Sequence, residues 1–254
     1  MAIAIVTGAS SGLGWEFVKQ ICENNYADAV WAVARRTERL ERLQALLGGR
    51  VRPVSCDLAD REQIKKLGAM LKEEQPEVSM LVNCAGFAKF GTYEEIGLDD
   101  VMNMIDLDVR ALVYLTQSAL PYMKACSCVV QIASTAAFQP LPQMNAYAAC
   151  KAFVLSYSRS LNDELRQRGV SVTTVCPGWT KTEFLDVAKE NASDKAVSGL
   201  PFMSAPENVV KSALKSARGR RELCVPGMVN KLHLFFSKII PNSMMMRIWN
   251  RMKA

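Results

Sequence analysis

The chain has 254 residues, half of them hydrophobic, with 22% charged, 7% aromatic and a single histidine, His233. That length and composition fit one large α/β domain or two small ones and exclude a disordered or fibrous chain. The lone histidine excludes a Ser-His-Asp hydrolase unless His233 serves it, and no metal site is expected; the formal charge of +6 raises the question of nucleic acid.

In chain order, strand-like apolar runs fall at Ala2–Thr7, Ala29–Ala34, Val51–Ser55, Val78–Asn83, Cys128–Ala133, Val170–Cys176 and Leu223–Val225. Helical periodicity fills the gaps at Leu13–Glu23, Glu38–Leu47, Arg61–Lys72, Asp100–Met123, Ala146–Arg166 and Pro206–Ala217. Strands separated by crossover helices predict a Rossmann-type, doubly wound, seven-stranded parallel sheet covered on both faces, in one domain over residues 1–227. The N-terminus enters a glycine turn directly after Val6, so it reads as a strand and not a signal peptide. The longest uncharged stretch, Ala125–Cys150, holds Gln131, Gln139, Pro140, Pro142, Gln143 and Asn145; it suits a pocket wall and not a membrane span. Eight cysteines without a C-x-x-C pair, most inside apolar runs, read as structural thiols in a cytoplasmic, reducing setting.

After Met228 the chain carries Lys231, Lys238, Arg247, Arg251 and Lys253 and no acid. Without that tail, 26 basic residues face 25 acidic ones, so the charge belongs to residues 228–254 and gives no support to nucleic-acid binding. The tail is also apolar, with Leu232, Leu234, Phe235, Phe236, Ile239, Ile240, Met244–Met246, Ile248 and Trp249. Packing on the domain or on a partner subunit is the favoured reading, with peripheral membrane contact the other.

Thr7-Gly8-Ala9-Ser10-Ser11-Gly12-Leu13-Gly14 ends the first strand and opens the first helix. There, glycines allow a tight turn and close backbone approach to a pyrophosphate resting on the helix N-terminus. The second strand ends Val33-Ala34-Arg35-Arg36, without the acid that would bond a ribose 2′-hydroxyl. A guanidinium fork suits a 2′-phosphate, which favours NADP(H) over NAD(H). Tyr147 and Lys151 stand four residues apart on one helix, and Ser134 closes the fifth strand thirteen residues before the tyrosine.

The G-x-x-x-G-x-G spacing, Ser134 and Y-x-x-x-K together resemble the short-chain dehydrogenase/reductase family over roughly residues 2–226. By that resemblance, Gly8, Ser10, Ser11, Gly12, Leu13, Gly14, Arg35 and Arg36 would bind the cofactor. So would Asp57 and Leu58 after the third strand, and Asn83, Ala85 and Gly86 after the fourth. Pro177, Gly178, Thr180 and Thr182 after the sixth would meet its nicotinamide, and Tyr147 and Lys151 would touch it as well. Residues 182–205 would fold over the substrate as a lid edged by Lys181, Lys189 and Lys195; Phe184, Leu185, Val187, Leu200, Phe202 and Met203 make it apolar.

The implied chemistry interconverts a carbonyl and an alcohol on a small or medium-sized, apolar substrate. Tyr147 would be the acid or base and Ser134 would polarise the carbonyl oxygen. Lowering a phenol from about 10 to about 7 requires about 4 kcal/mol, and a cation about 5 Å away supplies about 3 kcal/mol, so Lys151 is expected to do most of that work. At the position where the family has an asparagine, counted back from Pro121, stands Asp108, which would hold a relay water or pair with Lys151 and blunt the tyrosine. The alternatives are a 3-oxoacyl thioester reductase and a noncatalytic NADP(H)-sensing or membrane-associated binding protein. Family members pair as homodimers or homotetramers through the two central helices.

Overall fold

The computed structural model describes residues 1–189 and 203–253. Seven parallel strands form one sheet in the order β3-β2-β1-β4-β5-β6-β7. They are β1 (Ala2–Thr7), β2 (Ala29–Ala34), β3 (Val51–Ser55), β4 (Glu77–Asn83), β5 (Cys128–Ile132), β6 (Ser171–Val175) and β7 (Leu223–Cys224). This is the doubly wound arrangement expected from the alternation of strands and helices, and its strand order reverses between β1 and β4.

Burial on both faces explains the unbroken apolar strands. Along β1, Ala4 and Val6 point into one core with Phe17, Leu40 and Leu214. Ile3 and Ile5 point into the other with Ile64, Leu115 and Leu161. The first core lies under α1 (Gly12–Glu23), α2 (Thr37–Leu47) and α8 (Pro206–Arg218); the second lies under α3 (Arg61–Glu74), α5 (Leu112–Ala119) and α6 (Asn145–Glu164). Asp60 starts α3 as expected of a cap, its carboxylate accepting the backbone N–H of Glu62 at 2.8 Å and of Gln63 at 3.2 Å.

The helix expected over Asp100–Met123 is not one regular helix. It comprises α4 (Leu98–Ile105), a π-helical turn Asp106–Ala111, α5, and a 3₁₀ turn Leu120–Tyr122. A π turn slips one extra residue into the spiral, and it falls where Asp108 must enter the interior. The extra residue shifts the phase of the apolar stripe by one position, a slip that a window of several turns averages away.

After β6 come α7 (Phe184–Lys189) and, past β7, α9 (Met228–Ser237) and α10 (Asn242–Lys253). The tail is therefore two helices. His233 Nε2 meets Gln139 Oε1 at 3.1 Å, Trp249 Nε1 donates to the Pro142 carbonyl at 3.0 Å, and Met245 is buried. Of the lid expected over 182–205, Lys195, Leu200 and Phe202 lie outside the described residues.

All eight cysteines are free, and burial pushes the Cys84, Cys128 and Cys176 thiols up to about 12. These three are protonated near neutrality and behave as small apolar groups.

Candidate active site

A cavity of about 970 Å³ opens along the C-terminal edge of the sheet, at the reversal between β1 and β4. Its cofactor end is built from the glycine turn. Gly8 has φ +67°, and a Cβ on Gly14 would lie 2.2 Å from the Gly8 carbonyl oxygen, so both positions demand glycine. Thr7 staples this turn to the next strand: its hydroxyl accepts the N–H of Cys84 at 2.9 Å and of Ala85 at 3.0 Å. Ser11 occupies the cap position of α1 without capping it, which leaves the first amides of the helix aimed outward.

The Ser11 hydroxyl instead accepts from Arg36 Nη2 at 2.8 Å, and Ser10 Oγ accepts from Arg36 Nε at 3.2 Å. The guanidinium is thus held over the turn. Its remaining nitrogen meets the Glu183 carboxylate at 3.0 Å, and Arg39 meets the other oxygen of that carboxylate at 2.6 Å. An anion already sits on the fork, so these residues fit a phosphate at that point. The two arginines hold the Glu183 carboxyl below its ordinary range. Neither Glu183 nor Arg39 was marked as a site residue by the sequence; they meet across a separation of 144 residues. Arg35 points away from the fork, 3.8 Å from Asp57 and largely exposed.

At the other end of the cavity stand Ser134, Tyr147 and Lys151. Ser134 lies two residues past β5, at the start of the 3₁₀ turn Thr135–Phe138, and Tyr147 and Lys151 project from the first turns of α6, both buried. The Lys151 ammonium lies 5.5 Å from the centre of the Tyr147 ring and donates to the Ile132 carbonyl at 3.3 Å. It also faces Asp108 Oδ2 at 3.1 Å, while Asp108 Oδ1 accepts the Phe87 N–H at 3.1 Å. Asp108 is buried and reaches the cavity only through the lysine.

This pair changes the expected electrostatics. Burial pushes the Tyr147 phenol above its ordinary 10; Lys151 pulls it down, Asp108 pushes it up, and Ser134 pulls it down. The lysine does not bring the phenol toward 7, because desolvation outweighs it and the aspartate offsets its charge. Burial lowers the Lys151 ammonium, but Asp108 and Tyr147 more than compensate, so the cation is held above its usual range.

Nineteen of the positions assigned to cofactor or catalysis line this cavity. They are Gly8, Ser10, Ser11, Gly12, Leu13, Gly14, Arg35, Arg36, Asp57, Leu58, Ala85, Gly86, Ser134, Tyr147, Lys151, Pro177, Gly178, Thr180 and Thr182. Asn83 does not. Its amide donates to Thr116 Oγ1 at 2.9 Å and Gln131 Oε1 at 3.0 Å, a buried network that ties β4, β5 and α5 together below the cavity. Sequence reasoning missed most of the far wall, where Phe87, Leu141, Met144, Trp179, Phe236 and Trp249 line the space beside the tyrosine. Trp179 packs at a tilt against Phe90, ring centres 5.9 Å apart, and Phe184 likewise against Tyr147 at 5.7 Å.

The family model for short chain dehydrogenase matches residues 2–193, and the chain belongs to that family. It is an oxidoreductase of the dehydrogenase type. Over 209 residues it is 32% identical to a serine 3-dehydrogenase of Agrobacterium fabrum, covering 80% of this chain and 83% of the relative. An NADP-dependent 3-hydroxy acid dehydrogenase of Salmonella typhi is 34% identical over 198 residues, 76% of this chain and 79% of the relative. Among solved structures, a short-chain dehydrogenase from Sphingobium yanoikuyae in complex with NADPH superposes with a TM-score of 0.80 at 25% identity, covering 96% of this chain and 98% of that one. The closed form of a serine dehydrogenase complexed with NADP+ gives 0.77 at 28% identity, over 88% of this chain and 93% of that one.

Proposed function

We propose that the protein is an NADP(H)-dependent carbonyl reductase acting on a small or medium-sized apolar substrate. One observation carries the reading: a single cavity joins the Arg36 fork at one end to Ser134, Tyr147 and Lys151 at the other. The glycine turn and the α1 N-terminus would hold the pyrophosphate, and Arg36 with Ser10 and Ser11 the 2′-phosphate. When bound, NADP(H) supplies or accepts the hydride.

The chain's own residues handle the proton and the charge. In reduction, Ser134 donates a hydrogen bond to the substrate oxygen and Tyr147 delivers the proton to it. Burial raises the phenol, which favours the protonated form that reduction needs, whereas oxidation needs the phenolate. Asp108 is a positioning residue: it anchors the Lys151 ammonium and weakens its pull on the phenol.

Asp108→Asn therefore lowers the Tyr147 pKa, and the pH profile of alcohol oxidation moves toward lower pH. An unmoved profile with intact folding contradicts the role given to Asp108.

The apolar far wall favours an alkyl or aryl ketone or aldehyde. A second reading, a hydroxy acid, follows from the names of the relatives. Turnover of a panel of apolar ketones, 3-hydroxy acids and 3-oxoacyl thioesters with NADPH and NADH separates these. Turnover of the ketones supports the proposal, and turnover of the acids or thioesters alone overturns its substrate class. Phe153, 43% exposed on α6 and stacked on Tyr157, offers a face for pairing with a second copy.

A further inference from the structure

The outer side of α9 carries a stripe of large apolar side chains that no described residue covers. Met228 is 70% exposed, Leu232 51%, Phe235 57% and Ile239, just past the helix end, 63%. At about 3.6 residues per turn these four fall on one line along the helix. The two neighbouring lines differ. On one flank lie Lys231 and Lys238; on the other lie Val229 and Phe236, which line the mouth of the cavity. The opposite side, with Asn230 and His233, faces the body and lines the cavity from within.

The second tail helix repeats the design only in part: in α10, Met244 is exposed with Arg247 on its flank, Arg251 falls on the Met244 line, and Met245, Ile248 and Trp249 line the cavity. A helix whose inner face is already satisfied gains nothing in water from such a stripe. An exposed apolar line edged by cations is the pattern of a segment that lies in a lipid interface.

We propose that α9 and α10 dock this protein on an anionic lipid surface, with the apolar stripe in the acyl boundary and the lysines and arginines at the headgroups. Charge chooses the occupant. The segment 228–254 holds five cations and no acid, so a second copy laid face to face would oppose like charges. The stripe presents apolar side chains alone, which suits an acyl boundary. Among the described residues no helix is long and apolar enough to cross a membrane, so the contact is peripheral. Docking brings the cavity mouth at Val229 and Phe236 to the lipid, and a membrane-dissolved carbonyl compound enters without crossing water. That consequence rests on the reductase reading; the docking does not.

The test is sedimentation of the full chain with vesicles of phosphatidylcholine alone and of phosphatidylcholine with phosphatidylglycerol. Binding to the anionic vesicles, weakened by salt, is expected. Leu232→Gln with Phe235→Gln abolishes it, and Lys231→Gln with Lys238→Gln lowers partitioning about 30-fold. None of these four residues lines the cavity, so turnover of a water-soluble ketone stays at the wild-type level in both variants. The ketone assay fails separately if the reductase reading is wrong. Absence of wild-type binding, equal binding to both vesicle types, or binding indifferent to both pairs of substitutions overturns the proposal. So does conversion of a dimer to a monomer by the Leu232 and Phe235 changes without loss of vesicle binding.

Discussion

The two ends of the cavity are assembled from different material. At the cofactor end, Gly8–Gly14, Arg36, Asp57 and Ala85 sit at or just after the ends of adjacent strands, so backbone hydrogen bonding of the sheet fixes their positions. At the substrate end, Trp179, Phe184, Phe236 and Trp249 come from segments after β6 and after β7, laid against the body by aromatic packing and two side-chain hydrogen bonds. The family model reaches residue 193 and includes the first end but not the tail. A sheet edge tolerates little change, while docked helices can be exchanged to suit another substrate or surface; that is how one nucleotide site can serve many chemistries.

Substitutions at each end should therefore separate cofactor from substrate effects. The largest difference is expected of Arg36→Ala. Loss of a charge-assisted contact to the 2′-phosphate lowers NADP(H) affinity about 10- to 100-fold and leaves NAD(H) almost untouched, measured by titration calorimetry. An equal loss for both cofactors would place the arginine in the general architecture of the turn. Trp249→Ala acts at the other end. Removing the indole and its bond to Pro142 raises KM for a bulky apolar ketone about tenfold and leaves NADP(H) affinity unchanged.

The smallest effect belongs to Glu183→Gln. In the proposed complex the carboxylate would compete with the 2′-phosphate for Arg36, and both side chains are about half exposed, so screening makes the contest weak. NADP(H) should bind about 2- to 5-fold more tightly, with NAD(H) unchanged. Weaker NADP(H) binding in that variant would mean that Glu183 orients the fork and does not occupy it.

Much of the cofactor end was legible because its signals are local. Apolar runs of Ala, Val and Ile set β1 and β2, and Val51 and Val54 set β3, with the expected boundaries, and the glycine turn lies within eight consecutive residues. Asp108 could be singled out only by the departure from the family's asparagine. Its contact with Lys151 depends on the π turn, which hydrophobic periodicity does not register. Glu183 gave no sign, since an acid after a turn ordinarily faces solvent, and Arg36 and Arg39 approach it only through the fold. Trp249 was equally silent: its partner is the carbonyl of Pro142, a backbone group that any residue could have supplied. Asn83 carried the reverse lesson. Its place at the end of β4 suggested a ligand contact, but a buried amide must satisfy its donors, and Thr116 and Gln131 do so below the cavity floor.

The central claim joins the two ends: hydride arrives from the cofactor side and the proton from Tyr147. Single-turnover reduction of a ketone by enzyme preloaded with NADPH, comparing wild type with Tyr147→Phe, tests it most directly. The account predicts NADPH binding of unchanged affinity and a rate of hydride transfer lower by about 10²- to 10⁴-fold in the variant. Equal rates in the two proteins would contradict it.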